Sequence, residues 1–205
     1  MQQKLIQMQL WQKFGVWYNR MRIIISECNH PSTVHTTITM PNINEWKEIK
    51  ALRLEALKNE PHAFKNYYHD EIMLSDNQWR EKISNSCEDN SHEFFIIAKN
   101  AEGMIGIVGA EKLDNEMWYL KSVYIKTEYR GKGIGLQLLD RMMWKLDHEY
   151  GASMVRLKVN ARQKAAIRLY KKCGFIIENA IEKQQSGDGN LYTKFIMHRN
   201  QCVIR

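Results

Sequence analysis

The chain has 205 residues, of which 44% are hydrophobic and 26% are charged, a composition that is typical of a soluble globular protein and excludes extended disorder. Its four cysteines lie far apart without a CxxC pair, and its seven histidines form no HExxH motif, so we expect no disulfide scaffold, no metal site and a reducing, cytoplasmic location. No apolar run approaches the roughly 20 residues of a membrane-spanning helix, and the formal charge of +7 favours anionic ligands without choosing among them.

Residues 1–35 differ in composition from the rest of the chain. They are rich in glutamine, contain two tryptophans and end in a polar stretch. We interpret them as an N-terminal appendage or linker; the alternative is a translation start placed too early, with Met21 or Met40 as the true start. Residues 36–205 are predicted to form the main domain, which is long enough to bury a core without disulfides.

Strands and helices alternate along this domain. Helix starts are indicated by capping-box spacing at Asn42 with Glu45 and at Ser75 with Gln78, and a further helix is predicted over 162–172. The predicted strands are 36–40, 94–99, 104–112, 117–125, 154–159, 175–181 and 191–198. This order predicts an α/β fold with helices packed on a mixed sheet.

Three alternating glycines, Gly131, Gly133 and Gly135, follow the fourth predicted strand and precede a helix. Glycine tolerates positive φ and lets backbone amides approach a ligand closely, and the first amides of a helix have no partners within it. Because these amides carry the positive end of the helix dipole, the turn suits a phosphate or pyrophosphate, with Arg130 and Lys132 adding charge. A tight turn without a ligand is the alternative.

Two familiar phosphate-binding loops do not fit this turn. A Walker loop requires Ser or Thr directly after its Gly-Lys pair, and a glycine stands there instead. The dinucleotide fingerprint GxGxxG fails because its last glycine would fall on a leucine from either possible start. The pattern that fits is RxxGxG, formed by Arg130, Gly133 and Gly135.

The RxxGxG pattern resembles the acetyl-CoA-binding loop of the GNAT family of N-acetyltransferases. Downstream, residues 166–175 resemble the family's AxxLYxxxGF segment, and upstream residues 53–64 resemble its first helix and following loop. The resemblance spans residues 36–198. It implies an α/β fold of the GNAT type, with a mixed, mostly antiparallel central sheet flanked by helices, and it makes residues 36–205 an N-acetyltransferase domain.

The resemblance also implies how acetyl-CoA would be held. Its pyrophosphate would bind the loop amides, which belong to Arg130, Gly131, Lys132, Gly133, Ile134, Gly135 and Leu136. Its pantetheine arm would pair with the backbone at the end of the preceding strand, formed by Val123, Tyr124 and Ile125, and a backbone amide there would polarise the thioester carbonyl. Asn160 would contact the same arm, while Gln163 replaces the asparagine that the family often has seven residues before its tyrosine.

In the GNAT family an amine attacks the thioester directly, without a covalent enzyme intermediate. Tyr170 matches the family tyrosine that protonates the departing thiolate, and a reference pKa of about 10 keeps such a hydroxyl protonated; a purely core role is the alternative. Glu116 is the candidate base that takes a proton from the amine, against the alternative of a solvated strand-end carboxylate. Cys173 lacks a partner histidine and is expected to be a spectator thiol.

The sequence therefore predicts an acyltransferase that moves an acetyl group from acetyl-CoA to a primary amine in a ternary complex. The alternative is a sensor module of the same fold that binds acyl-CoA without turnover. The acceptor, a small amine or a protein amino group, is predicted to contact residues 60–75 and 184–190. There His62, His69, Asp70 and Glu71 could bind a cationic amine, but we favour the alternative that they are solvated loop side chains. With no basic cluster in the sequence we expect no nucleic-acid partner, no membrane partner, and a monomer or homodimer.

Overall fold

The computed structural model describes residues 35–84, 86, 92–113 and 117–200. The predicted N-terminal appendage lies outside these residues apart from His35, so its boundary stays a prediction. The candidate base Glu116 also lies outside the described residues.

Strands and helices occur in the predicted order. The strands are β1 Thr37–Thr39, β2 Glu93–Asn100, β3 Gly103–Lys112, β4 Met117–Ile125, β5 Met154–Asn160, β6 Ile176–Gln185 and β7 Leu191–Asn200. The helices are α1 Trp46–Asn59, α2 Tyr68–Ile72, α3 Asp76–Ser84, α4 Ile134–His148 and α5 Lys164–Lys172, with 3-10 turns at Ile43–Glu45, Pro61–Ala63 and Thr127–Tyr129. None of the helices in the described part of the chain has the length and hydrophobicity that a bilayer crossing requires.

The strands form one sheet in the order β1-β2-β3-β4-β5-β7-β6. Its neighbouring strands are antiparallel except β4 and β5, which run parallel. The expected mixed, mostly antiparallel sheet is therefore confirmed. The β2–β3 hairpin turns at Gly103, whose φ is 114°, and the Asn100 side chain accepts the Glu102 amide at 2.9 Å.

Both predicted capping boxes are present. The Asn42 side chain accepts the Asn44 amide at 2.9 Å and the Glu45 carboxylate accepts the Asn42 amide at 2.8 Å, capping the 3-10 turn that leads into α1. Ahead of α3, the amide of Ser75 donates to Gln78 at 2.8 Å and its hydroxyl accepts the Gln78 amide at 3.3 Å. These local hydrogen bonds fix where the helices begin.

Several predicted boundaries are shifted, and two of the shifts have an evident local reason. Helix α5 begins two residues later than predicted, because the amides of Arg162 and Gln163 donate to the side-chain and backbone oxygens of Asn160 at 3.0 and 2.9 Å. Strand β6 continues four residues past 181, through a polar segment that includes Lys183 at a φ of 53°. It lies at the sheet edge and is largely exposed, so its sequence lacks an apolar alternation.

Helices cover both faces of the sheet. On one face, α1 and α3 pack on a core that includes Ile107 of β3. On the other face, α4 approaches the neighbouring residue Gly106, where a Cβ atom would lie 3.1 Å from Leu138. Since successive strand residues point to opposite faces, this alternation shows that the sheet is buried from both sides.

The parallel strands β4 and β5 pair along only part of their length. Their pairing covers residues 117–119 of β4 and 154–156 of β5 and then stops. On the opposite side of β4, its register with β3 shifts between Ile107 and Gly109, and Ser122 adopts a φ of 55°. The two strands therefore diverge and leave an opening in the sheet between 120–125 and 157–160.

The β6–β7 turn packs against the loop that follows α1. The Gly187 amide donates to the Phe64 carbonyl at 2.8 Å, and a Cβ atom on Gly187 would lie 2.3 Å from the Asn66 carbonyl oxygen. Only glycine permits such a close backbone approach without displacement of the loop.

We therefore expect Gly187→Ala to destabilise the protein by about 3 kcal/mol, because one of two packed loops must move. The matched control is Gly189→Ala in the same turn, where a Cβ atom meets nothing within 4 Å and a positive φ of 78° is the source of strain. We expect that control to cost about 1 kcal/mol. Urea unfolding of both variants measures the difference, and equal costs would contradict the close packing.

Candidate active site

The glycine turn presents a row of unpaired backbone amides. Gly131 and Gly133 adopt φ of 76° and 79°, and α4 begins immediately afterwards at Ile134. Among the described residues, the amides of residues 131–135 have no hydrogen-bond partner. The amides at the start of α4 also carry the positive end of the helix dipole, so this turn can bind an anionic group through its backbone.

The row of unpaired backbone amides is shorter than the predicted range of 130–136. The Arg130 amide donates to the Thr127 carbonyl at 3.2 Å, and the Leu136 amide donates to the Gly133 carbonyl at 3.1 Å. Both terminal amides are thus already paired within the chain. The five amides between them are those that a ligand can use.

The Arg130 side chain turns back toward the protein. Its Nε donates to the Ile125 carbonyl at 2.9 Å, and its Nη1 lies 2.7 Å from the Glu60 carboxylate. The guanidinium group also lies over the Tyr124 ring, 5.5 Å from its centroid. Arg130 therefore ties the turn to the end of β4 and to the loop after α1.

Gly135 connects the turn to the next helix of the site. A Cβ atom on Gly135 would lie 3.0 Å from the Leu169 side chain of α5 and 4.0 Å from Ile125. The third glycine of the motif thus permits close packing between α4 and α5. Because α5 also carries Tyr170, this packing fixes the position of the tyrosine relative to the turn.

The opening between β4 and β5 is part of a cleft of about 670 Å³. Val123, Gln163, Leu169 and Tyr170 line it. On the side of β4 that faces the opening, the backbone past Tyr119 has no partner in β5. A bound molecule can therefore add hydrogen bonds to β4 as a further strand would.

The three residues predicted at the end of β4 have different environments. Val123 lines the cleft. Tyr124 packs in the core beneath α1, where its hydroxyl donates to Glu55 at 2.9 Å and accepts from Asn59 at 3.3 Å. The Ile125 carbonyl accepts the Arg130 side chain. Of the three, the side chain of Val123 alone borders the cleft.

Tyr170 is 6% exposed, lines the cleft and packs edge-on against Phe175 with ring centroids 6.1 Å apart. Burial raises the pKa of its hydroxyl strongly, and the negative charges that Tyr119 and Cys173 would carry when ionised act in the same direction. Within the described residues the hydroxyl has no hydrogen-bond partner. It is therefore a protonated group that is free to donate into the cleft.

The two amide side chains that the sequence singled out after β5 have different environments. Asn160 is 1% exposed, its side-chain amide donates to the His62 carbonyl at 3.2 Å and its side-chain oxygen accepts the Arg162 amide at 3.0 Å. These bonds fasten the end of β5 to the loop after α1. Gln163 lines the cleft, so of the two amide side chains it is the one placed to contact a ligand there.

Glu71 is buried, which the sequence-based expectation of a solvated carboxylate did not foresee. It accepts from Arg53 at 3.0 and 3.2 Å and from Asn66 at 2.8 Å, and Lys82 lies 3.5 Å away. Burial acts to raise the pKa of Glu71, but the hydrogen bonds and charge of Arg53, together with Lys82 and Asn66, hold it below its usual value. Glu71 therefore anchors α2 through its ion pair with Arg53.

Cys173 is not placed as a nucleophile. Burial raises the pKa of its thiol to about 11, an effect that Asp140 increases and Arg199 opposes. The thiol is therefore protonated near neutral pH and cannot attack as a thiolate.

Comparison with known proteins identifies the family. Residues 49–175, more than half of the chain, match the model of the acetyltransferase (GNAT) family. The chain belongs to this family. The matched region contains the glycine turn and Tyr170, and the family is one of acyltransferases.

Curated relatives match the chain over shorter segments. It is 27% identical over 103 residues to an uncharacterized protein of Mycobacterium leprae, a match that covers 49% of this chain and 28% of that protein. It is 39% identical over 56 residues to thialysine N-epsilon-acetyltransferase of Bos taurus, a match that covers 27% of this chain and 32% of the relative. The chain thus spans about a third of the length of these relatives.

Solved structures of the family share the fold. A GNAT acetyltransferase from Streptococcus pneumoniae has a TM-score of 0.68 at 21% identity, with 81% of this chain and 99% of that chain covered. Ribosomal-protein-S5-alanine acetyltransferase from Vibrio fischeri has a TM-score of 0.73 at 11% identity, covering 85% and 98%. Spermidine N-acetyltransferase from Vibrio cholerae, solved with CoA and spermine, has a TM-score of 0.65 at 19% identity, covering 81% and 95%.

If the row of amides binds a diphosphate, Gly133→Ala should weaken CoA binding at least tenfold, equivalent to about 1.4 kcal/mol. A Cβ atom at Gly133 meets nothing within 4 Å, so its effect arises from the strained positive φ and from the space that it takes beside the amides. Calorimetric titration with CoA measures the dissociation constant.

The matched control is Gly151→Ala, after the other end of α4. Gly151 also has a positive φ, of 60°, and a Cβ atom there likewise meets nothing within 4 Å. Its substitution should lower stability to a similar extent and leave CoA affinity unchanged. An unchanged dissociation constant in Gly133→Ala would remove the turn as the cofactor site.

Proposed function

We propose that the protein is an N-acetyltransferase that transfers the acetyl group of acetyl-CoA to a primary amine by direct attack in a ternary complex. The observation that carries this proposal is the unpaired amide row of 131–135 beside a cleft that Tyr170 lines. A diphosphate and a thioester arm require these two features, an anion-binding turn and an adjacent opening with exposed backbone.

The residues present fit acetyl-CoA. The space next to Gly131 and Gly133 is open, and their amides are unpaired, which suits a pyrophosphate. Beyond Tyr119, the edge of β4 that has no partner in β5 would hold the pantetheine arm, with Val123 and Gln163 lining its path. When bound, acetyl-CoA supplies a thioester whose carbonyl carbon is open to attack by an amine.

Tyr170 would act as the general acid. Its raised pKa keeps the proton on the hydroxyl, and the hydroxyl has no partner among the described residues that would compete for that proton. It would donate the proton to the thiolate that leaves as the C–S bond breaks. Removal of a proton from the attacking amine is assigned to Glu116, which remains a prediction.

The acceptor is proposed as a small amine or a protein amino group. Names of related proteins point to acceptors of several kinds: thialysine for the bovine relative, spermidine for the Vibrio cholerae enzyme and the alanine of a ribosomal protein for the Vibrio fischeri enzyme. We further propose a cytoplasmic protein, a monomer or homodimer, with no nucleic-acid or membrane partner.

Replacement of Tyr170 tests the proposed acid. Tyr170→Phe keeps the ring that packs on Phe175 and removes only the hydroxyl, so kcat should fall about 100-fold while KM for acetyl-CoA changes little. Release of free thiol from acetyl-CoA across a panel of primary amines provides the measurement.

The matched control is Tyr119→Phe. Tyr119 lines the same cleft, and burial raises the pKa of its hydroxyl to about 12, with the charge of Glu111 acting in the same direction. We expect its loss to reduce kcat less than tenfold. Full turnover in Tyr170→Phe would refute the acid, and CoA binding without thiol release on any amine would favour the sensor module.

A further inference from the structure

The cleft has an excess of positive charge. Six basic and two acidic side chains line it. The basic ones are Arg53, Lys65, Lys82, Lys121, Lys158 and Lys194, and the acidic ones are Glu93 and Glu111. A cleft with low-dielectric walls concentrates the field of its charges, so this excess acts on whatever enters it.

Both carboxylates of the lining are already engaged by a cation. Glu93 and Glu111 lie directly opposite each other on β2 and β3, and Lys121 of β4 pairs with both, at 2.9 Å from Glu93. Like charges opposite each other across a ladder repel, and Lys121 offsets that repulsion. One lysine shared by two carboxylates leaves this group with a net charge of about −1.

Two of the basic groups share one carboxylate and keep a net charge of about +1, which offsets the charge left at Glu93 and Glu111. Arg53 and Lys82 lie 3.0 and 3.5 Å from the buried Glu71 carboxylate, which reaches them from outside the lining. Within the described residues, Lys65, Lys158 and Lys194 have no ion pair. These three therefore account for the uncompensated positive charge of the cleft.

Lys194 is the most enclosed of the three. It lies on β7, is 6% exposed, and its Nζ donates to the Gln185 carbonyl at 3.3 Å. An ammonium group has three donors, and in the described part of the chain this carbonyl is its one partner. Asp188, the nearby carboxylate, is occupied by the Tyr192 hydroxyl at 2.6 Å and by Asn190.

The electrostatic environment of Lys194 favours an anion beside its ammonium group. Burial lowers the pKa of its ammonium group and the charge of Lys158 lowers it further, while Asp188 acts in the opposite direction. A carboxylate beside Nζ would compensate for both effects through a charge-assisted hydrogen bond.

We propose that the acceptor is a small amine that also carries a carboxylate, as an amino acid does, and that this carboxylate pairs with Lys194 Nζ in the cleft. The inference rests on the proposed acetyl transfer and narrows its acceptor. The same positive excess disfavours polyamines, whose additional ammonium groups would meet Lys65, Lys158 and Lys194. It also lowers the pKa of the acceptor ammonium and so favours the neutral amine that attacks.

Two pairs of amines that differ only in a carboxylate test the proposal: lysine with cadaverine, and ornithine with putrescine. We expect kcat/KM to be at least tenfold higher for the carboxylate-bearing member of a pair, a difference of about 1.4 kcal/mol in transition-state binding. Calorimetric titration of the CoA-bound protein with Nε-acetyl-lysine and with N-acetylcadaverine provides a second readout that needs no turnover.

Substitutions of Lys194 test whether this residue causes the preference for the amine that carries a carboxylate. Lys194→Met should reduce the ratio between the members of a pair to below about threefold, and Lys194→Arg should retain most of it because the charge remains. Lys194→Gln replaces the methionine variant if that variant fails to fold. Lys47→Met, which removes an exposed charge of α1 outside the cleft lining, should leave the ratio unchanged.

These experiments test the carboxylate preference, the role of Lys194 and the proposed function separately. Equal use of both members of a pair, equal binding of the two acetylated compounds, or better use of cadaverine would overturn the carboxylate proposal while leaving CoA binding in place. A ratio that persists in folded Lys194→Met would overturn the assignment to Lys194. Failure of the wild-type protein to bind CoA would overturn the proposed function itself, and this inference with it.

Discussion

The divergence of β4 and β5 is the constraint on which the rest of the site depends. A parallel pair normally satisfies its backbone groups along its whole length, whereas here pairing ends at Tyr119 and Arg156. The strands thus remain joined at one end while their other ends open, and the backbone exposed in the opening becomes the surface available to a thioester arm.

The glycine turn and the tyrosine depend on one another through packing. Gly135 has to be small because Leu169 occupies the space that a side chain would take, and the residue after Leu169 is Tyr170. On the other side, Arg130 ties the turn to the carbonyl of Ile125 and to Glu60. Besides the proposed binding of an anion, the motif therefore sets the distance between the amide row, the end of β4 and the helix that carries the proposed acid.

Local signals were sufficient for most of the fold and for the position of the turn. The capping boxes, the turn at Gly103 and the glycine spacing each depend on neighbours within a few residues, so the sequence predicts them directly. Contacts between distant residues were not predictable in this way. Asn160 was expected to face the cofactor arm, yet its amide donates to the carbonyl of His62, 98 residues away. Glu71 was expected in solvent, yet it is buried and pairs with Arg53 of another helix. Neither pairing leaves a pattern in the chain.

The distribution of charge in the cleft is the clearest example of a feature that the sequence alone does not predict. The formal charge of +7 is spread along the sequence and identifies no site. Folding sorts these charges into two groups: Arg53, Lys82 and Lys121 meet carboxylates, whereas Lys194 and Lys158 reach the cleft without one. Because β5 and β7 are neighbours in the sheet but 36 residues separate these two lysines in the chain, only the strand order brings them together. The strand order thus places positive charge without an ion pair beside the opening, and the proposed acceptor of the acetyl group would have to fit that charge.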